Sequence, residues 1–272
     1  MTFLKKRQRR HKRQSPLKDN PLRNPGQSLD EEINRIIGEE GDIWIATFCF
    51  CIALTLCEWW RWYANAQLNP VAMTIAATPF LVLSSLMFLR TRHRVKRLRM
   101  ARDGEKAVGQ FLADLQAKGY RVFHDILGDG FNIDHIVISD RGIFTIETKT
   151  YSKPIKGRSE IQFDGEKLLI NGHLPYRDPV TQAKAQAHWT RQILKESTGK
   201  DYPVKAVIVF PGWFVRSTVK GKRNSLWVLN PKALPSFIDN ESQVLRTEDV
   251  QLAAYHLSRY IRMKRQSRAS FQ

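Results

Sequence analysis

The sequence predicts a mixed α/β domain preceded by a two-helix transmembrane hairpin. Two long uncharged runs near the N-terminus predict the hairpin. Strand and helix periods that alternate from residue 103 onward predict the α/β domain. Within it, "VKAVIVF" at 204–210 is almost continuously apolar, as a strand covered on both faces should be. With 272 residues, 42% of them hydrophobic, the chain can bury a sizeable core, which excludes disorder throughout.

Charge narrows the partners. A formal net charge of +18 calls for an anionic one, either nucleic acid or the anionic face of a membrane. Residues 1–102 hold 18 basic and 8 acidic side chains and residues 103–272 hold 26 and 18, so both parts carry an excess. Cys49, Cys51 and Cys57 share one apolar run without zinc-site spacing, which excludes a disulfide framework and a zinc finger.

Taken in order, residues 1–42 are expected as a basic disordered arm and linker. "KKRQRRHKRQ" cannot bury its like charges, and "SPLKDNPLRNPGQS" is rich in Pro, Asn and Ser. A short, mostly polar helix is expected within this part, over 29–40. The hairpin follows at 43–90, with spans at 43–63 and 70–90. Its second uncharged run, 71–89, makes 19 residues, about 28 Å of helix at ~1.5 Å per residue, close to the roughly 30 Å hydrocarbon core. Trp59, Trp60 and Trp62 suit a membrane interface, and Pro79 is expected to kink the second helix. Seven basic residues from Lys5 to Arg13 and seven from Arg90 to Arg102, with no acid among them, flank the hairpin. The positive-inside rule then places both termini in the cytoplasm and a loop near Asn65 outside. The expected location is the inner (cytoplasmic) membrane, multi-pass, with anionic lipid meeting the basic flanks, including a juxtamembrane segment at 91–102. "ANA" at 64–66 imitates a signal-peptidase site, but a 42-residue leader and the neighbouring tryptophans argue against cleavage.

Residues 103–272 form the expected α/β domain. Val108, Phe111, Leu112 and Leu115 mark one helix face and Gly119 ends that helix. "YRVFHDI" is a strand, a ragged strand lies at 166–171, and Asp178 before Pro179 starts a helix running to about Ser197. "LWVL" at 226–229 is another strand, and Thr247 with Val250, Ala254, Leu257 and Ile261 gives a closing helix.

The chemistry concentrates in "IDHIVISDRGIFTIETK", residues 133–149, which alternates through a short turn as a half-buried hairpin should. A tight turn at 140–142 pairs positions whose numbers sum to 281 or 283. Either register puts Asp134, Glu147 and Lys149 on one face; the first sets Asp134 opposite Glu147, the second opposite Lys149. Two carboxylates on adjacent strands suit a hard divalent cation such as Mg²⁺, and a lysine beside it can orient water or steady charge on a phosphodiester. A solvated strand face is the plainer explanation of the same letters. His135 must point to the other sheet face and reads as a core histidine, and His124, His173, His188 and His256 show no ligand spacing. Arg216, Lys220, Lys222 and Arg223, interleaved with Trp213, Phe214 and Trp227, form a segment suited to stacking on bases and tracking phosphates.

"GEKAVGQFLADL", "FNIDHIVISDRGIFTIETKT" and "DPVTQAKAQ", in this order and spacing, resemble the nuclease-related domain (NERD) family of the PD-(D/E)xK nuclease superfamily. The resemblance covers roughly residues 103–215. It implies a mixed β-sheet flanked by helices, restriction-endonuclease-like, with a site that uses Mg²⁺ or Mn²⁺. Carried across, it assigns Glu105 as the acid of the first helix, Asp134 as the core aspartate, Glu147 and Lys149 as the E-x-K pair, and Gln182 as the glutamine facing the site. Asp134, Glu147 and Glu105 are then the metal ligands. The sequence departs from the pattern at Asn132 and Ile133, where proline is frequent in the superfamily, and at Thr150, where the family more often has Asn. The expected function is membrane-anchored, Mg²⁺-dependent hydrolysis of phosphodiester bonds in DNA. The alternative is a catalytically inactive nucleic-acid-binding or membrane scaffold module on the same fold.

Overall fold

The computed structural model describes residues 22–64, 70–154, 159–217 and 226–270. The basic arm before residue 22, the loop around Asn65, and Lys220, Lys222 and Arg223 lie outside the described residues.

Two helices long and apolar enough to cross a membrane stand at the N-terminal side. Helix α1 (Gln27–Ile36) passes through a π-helical turn (Ile37–Gly41) into α2 (Asp42–Tyr63). Helix α3 (Pro70–Ala117) runs for 48 residues with Pro79 inside it. Along the apolar runs, large side chains such as Phe50, Leu56, Ile75 and Phe80 remain exposed. The paired helices are tied by Ser84 Oγ donating to the Trp44 carbonyl at 2.6 Å and Trp59 Nε1 donating to Thr74 Oγ1 at 3.3 Å.

Helix α3 continues unbroken through the division expected at residue 102. Its basic stretch reads in sequence as a separate juxtamembrane segment, yet α1 packs along it and supplies apolar and ionic partners to part of it. Ile33 and Ile36 bury themselves against Val95, with Leu98 alongside. Arg94 pairs with Glu32 at 2.9 Å and with Glu40 at 3.5 Å, and Arg102 and Lys106 pair with Asp30 at 3.0 and 2.8 Å. The tail of the expected linker is likewise docked. Arg23, 5% exposed, donates to Asp125 at 2.7 Å, and Ser28 donates to the same carboxylate from its N–H at 2.7 Å and its hydroxyl at 2.6 Å. Asp125 itself sits at φ 52, a left-handed conformation rare for a non-glycine residue. That conformation interrupts the ladder between the pairs His124↔His135 and Ile126↔Ile133.

The α/β domain is built on a five-stranded mixed sheet, ordered β1-β2-β3-β6-β8. Strands β1 (Arg121–Leu127), β2 (Asn132–Ser139) and β3 (Gly142–Thr148) are antiparallel neighbours. Strands β6 (Val204–Val209) and β8 (Leu226–Leu229) continue the sheet in parallel. The hairpin takes the first of the two expected registers, with Ser139↔Gly142, Val137↔Phe144 and His135↔Ile146. Gly142 closes the turn at φ 123, which glycine alone adopts freely. A smaller sheet, β5-β4-β7, is formed by β4 (Glu160–Phe163), β5 (Leu168–Ile170) and β7 (Phe214–Ser217). Of its strands, sequence periodicity indicates only β5.

Helices cover both faces of the main sheet. Val108, Leu112 and Leu115 of α3 pack on Val137, Phe144 and Ile146. On the other face, α4 (Pro179–Thr198) and α6 (Thr247–Ser270) bring Leu194, Leu257 and Ile261 to Ile133, Ile136 and Ile138. Each such aliphatic side chain, fully buried, is worth about 1.5–3 kcal/mol. A short α5 (Leu234–Asp239) closes the first face through Leu234 and Ile238. Asp178 starts α4 by accepting from the Val180 and Thr181 N–H groups at 3.0 and 3.2 Å.

His135 is fully buried, and its Nδ1 lies 2.9 Å from Nδ1 of His124. One ring must donate and the other accept, so at least one is neutral, and burial disfavours a charge on either. Burial lowers the His124 pKa to about 4 and takes His135 well below the usual range. Because the folded pKa lies below the unfolded value near 6.5, the unfolded chain binds more protons between the two, and stability is lost as pH falls through that window. For His124 the loss from pH 6.5 to 4 is up to about 3 kcal/mol at ~1.36 kcal/mol per unit. Thermal unfolding of the full chain in detergent should therefore lose stability over this window more steeply than the His124→Gln variant; parallel profiles would contradict the neutral pair. The comparison with the variant is needed because raised carboxyl groups elsewhere act in the opposite sense over the same pH range.

Candidate active site

The register of the hairpin decides the site. Continuing the observed pairing past His135↔Ile146 places Asp134 beside Glu147, at the end of the sheet where β3 stops. Asp134 Oδ2 accepts the Thr148 N–H at 2.6 Å, which holds its carboxylate across the two strands. The Lys149 N–H donates to the Val209 carbonyl at 2.9 Å, so the residue stays strand-like and its side chain returns to the face of Glu147. Lys149 Nζ then lies 2.6 Å from Glu147 Oε1 and 2.8 Å from Gln182 Oε1.

Helix α4 lays two glutamines across this pair. Gln182 Nε2 donates to Glu147 Oε1 at 2.7 Å, and Gln186, one turn further on, donates from Nε2 to Glu147 Oε2 at 2.6 Å and to the Asn132 carbonyl at 2.9 Å. Gln186 is 2% exposed, and its Oε1 finds no partner among the described residues. Sequence reasoning missed Gln186; its spacing of four from Gln182, which puts both on one helix face, is the signal that finds it.

Glu105 arrives from α3. Its approach is closest at Gly104, where a Cβ would stand 2.0 Å from Thr150 Oγ1, so a larger residue would force Thr150 or the helix to shift. Glu105 is 8% exposed and accepts the N–H of Gly26 from the docked N-terminal segment. Burial, then the charges of Asp125 and Glu147, push its pKa up to about 8. Burial, then Glu147 and Glu105, likewise raise Asp134 well above the usual carboxylate range. Two like charges about 4 Å apart repel by roughly 4 kcal/mol at an effective dielectric of 20. Without a counter-ion, this repulsion is relieved by protons on Asp134 and Glu105 and by Lys149 leaning on Glu147.

The structure thus gathers Glu105, Asp134, Glu147, Lys149 and Gln182 at one place. Arg216, on β7, is engaged elsewhere by Glu160 at 2.8 Å. Among the described residues no three His, Cys, Asp or Glu side chains already converge as a metal cage. Magnesium asks for less, commonly one or two carboxylates with water and phosphate completing the shell. A pair of carboxyl groups at adjacent strand ends, with a third nearby on α3, fits that donor set.

A stretch of 59 residues is 44% identical to an uncharacterized protein of Bacillus anthracis; the match takes in 20% of this chain and 28% of that protein. The chain therefore spans well under half the length of this relative. No solved structure matches the chain. The segment that carries all five gathered residues is the segment with a family match: residues 101–211 match the family model of the nuclease-related domain, NERD.

Proposed function

We propose that this chain is a membrane-anchored nuclease that hydrolyses phosphodiester bonds in DNA with Mg²⁺ or Mn²⁺, on a restriction-endonuclease-like domain. The observation that carries this reading is the Asp134–Glu147 pair facing Lys149 within hydrogen-bond reach of Glu147. The family match supports a nuclease-related function. Asp134 and Glu147 would hold the cation, with Glu105 adding a third carboxylate. When bound, such an ion polarises the phosphoryl oxygens and lowers the pKa of coordinated water.

The chain's own groups do the rest. Lys149, restrained by Glu147 and Gln182, directs an ammonium toward the reacting phosphate, where it orients the attacking water and offsets negative charge growing in the transition state. Gln182 and Gln186 hold the Glu147 carboxylate through separate oxygens, which fixes its orientation. Water oxygen adds to phosphorus, the bond to the leaving oxygen breaks, and that oxygen takes up a proton.

The helices α2 and α3 anchor this domain in the cytoplasmic membrane, both termini in the cytoplasm, with the basic flanks against anionic headgroups. In a background with Cys49, Cys51 and Cys57 replaced by Ser, a cysteine at Gln67 should react with an impermeant maleimide on intact cells and one at Ser270 should not. The reverse pattern contradicts the topology.

A lysine acting in the transition state gives a second test. Lys149→Ala should lower metal-dependent DNA cleavage by on the order of 100-fold, about 2.7 kcal/mol, with DNA binding little changed. The exposed Lys153 serves as control, since its replacement by Ala should leave turnover alone. Equal cleavage by wild type and Lys149→Ala contradicts the site assignment. Wild-type DNA binding without cleavage under either metal favours the inactive binding module instead.

A further inference from the structure

Where the two apolar helices end on the side of the α/β domain, a cleft of about 780 Å³ opens between the start of α2 and the stretch of α3 beyond Leu89. Ile37, Ile45, Phe88 and Leu89 make its apolar floor. Arg92, Lys96 and Arg99 make its wall, and their spacing of four and three residues sets them on one face of α3. All three are exposed. Among the described residues none of them has a carboxylate partner, in contrast to Arg94 and Arg102 of the same helix. Asp42 and His93 also line the cleft, and one carboxylate cannot balance three fixed cations. Beneath it lies a second cavity of about 370 Å³ between α2 and α3, lined by Trp44, Phe48 and Ser84 and sharing Ile45, Phe88 and Leu89 with the cleft.

A cationic mouth over an apolar shaft, at the level where the uncharged run of α3 gives way to Arg90, matches one ligand chemistry. Nucleic acid or free phosphate would satisfy the cations and leave the floor uncovered. An amphiphile with a phosphate headgroup satisfies both. We infer that this cleft is a binding site for an anionic phospholipid, its phosphate among Arg92, Lys96 and Arg99 and its acyl chain along Ile45 and Phe88 into the cavity below. The inference rests on the reading that α2 and α3 span a membrane, and it goes beyond diffuse attraction of basic flanks to a lipid surface. Its consequence follows from the continuity of α3: the lipid grips the helix that carries Glu105, 16 residues or about 24 Å beyond Leu89 at ~1.5 Å per residue.

The experiment titrates phosphatidylglycerol into the purified full chain in neutral detergent, read by native mass spectrometry and by the unfolding midpoint. Wild type should take up phosphatidylglycerol saturably, one per chain, and phosphatidylcholine at least about tenfold more weakly. At about 1 kcal/mol for each basic residue near a lipid phosphate, Arg92→Gln with Lys96→Gln should weaken uptake by at least about tenfold. The charge-matched pair Arg90→Gln with Arg97→Gln, on the same helix but outside the cleft, should change it less than about twofold. Equal losses in the two double variants overturn the site in favour of diffuse electrostatics. Competition by glycerol phosphate or by an oligonucleotide as strong as that of the lipid overturns the choice of ligand. Alkaline carbonate extraction of the chain from membranes overturns the spanning reading and the lipid with it, whereas an extraction-resistant chain with equal losses overturns the cleft alone.

Discussion

Carboxyl groups kept near one another at the strand ends, with the Lys149 ammonium held on Glu147, are the constraint around which this molecule is arranged. Glu105 and Asp134 answer it with strongly raised pKa values, and Glu147 answers it with a contact of 2.6 Å to Lys149. Such a cluster is unfavourable in an apolar setting unless every carboxylate is held and balanced. The hairpin register brings Asp134 and Glu147 side by side. The bare Cα of Gly104 lets α3 pack closely against Thr150, next to Glu105 in the chain. Two glutamines of α4 occupy both oxygens of Glu147, and the Gly26 N–H reaches Glu105 from outside the domain. An arrangement that keeps like charges together at the end of a sheet is the kind of strain associated with function.

The second theme is mechanical. Helix α3 carries a long apolar run and is also the first helix of the α/β domain, so the site is coupled to the apolar helix pair through one continuous helix. The N-terminal segment fastens the other side. Pro25 lies so close to Gly109 that a Cβ there would meet its ring at 2.6 Å, and Arg23 is buried against Asp125. Removing one member of a buried ion pair commonly costs about 3–5 kcal/mol, so this clamp is a firm one. The position of Glu105 relative to the sheet thus depends on two attachments, one through α3 and one through residues 23–28.

Much of this was legible in the sequence because local patterns carried it. The turn at Asp140 to Gly142 limited the hairpin to two registers, Asp178-Pro179 marked the start of α4, and the apolar run at 204–210 marked the central β6. What escaped depended on partners far away in the chain. Residues 22–28 read as linker because nothing nearby announces that Arg23 meets Asp125, 102 positions later. The stretch from Arg90 to Arg102 read as a separate basic segment because the acids that pair with Arg94 and Arg102, namely Asp30 and Glu32 on α1 and Glu40 in the turn after it, lie far away in the chain. Strand β4 pairs with β7 at a separation of 54 positions, a contact that no period within either strand reveals. Gln186 was overlooked because a buried glutamine is recognised only once its carboxylate partner faces it.

The central claim is that the clustered carboxylates act together as one cation site. Calorimetric titration of Mg²⁺ into the full chain, beside Asp134→Asn and Glu147→Gln, tests it without reference to turnover. The account predicts that each substitution weakens binding by at least about tenfold while the chain stays folded, since each removes one carboxylate from the cation site. Equal Mg²⁺ affinity in all three proteins would contradict it and leave the pair as an ordinary polar strand end.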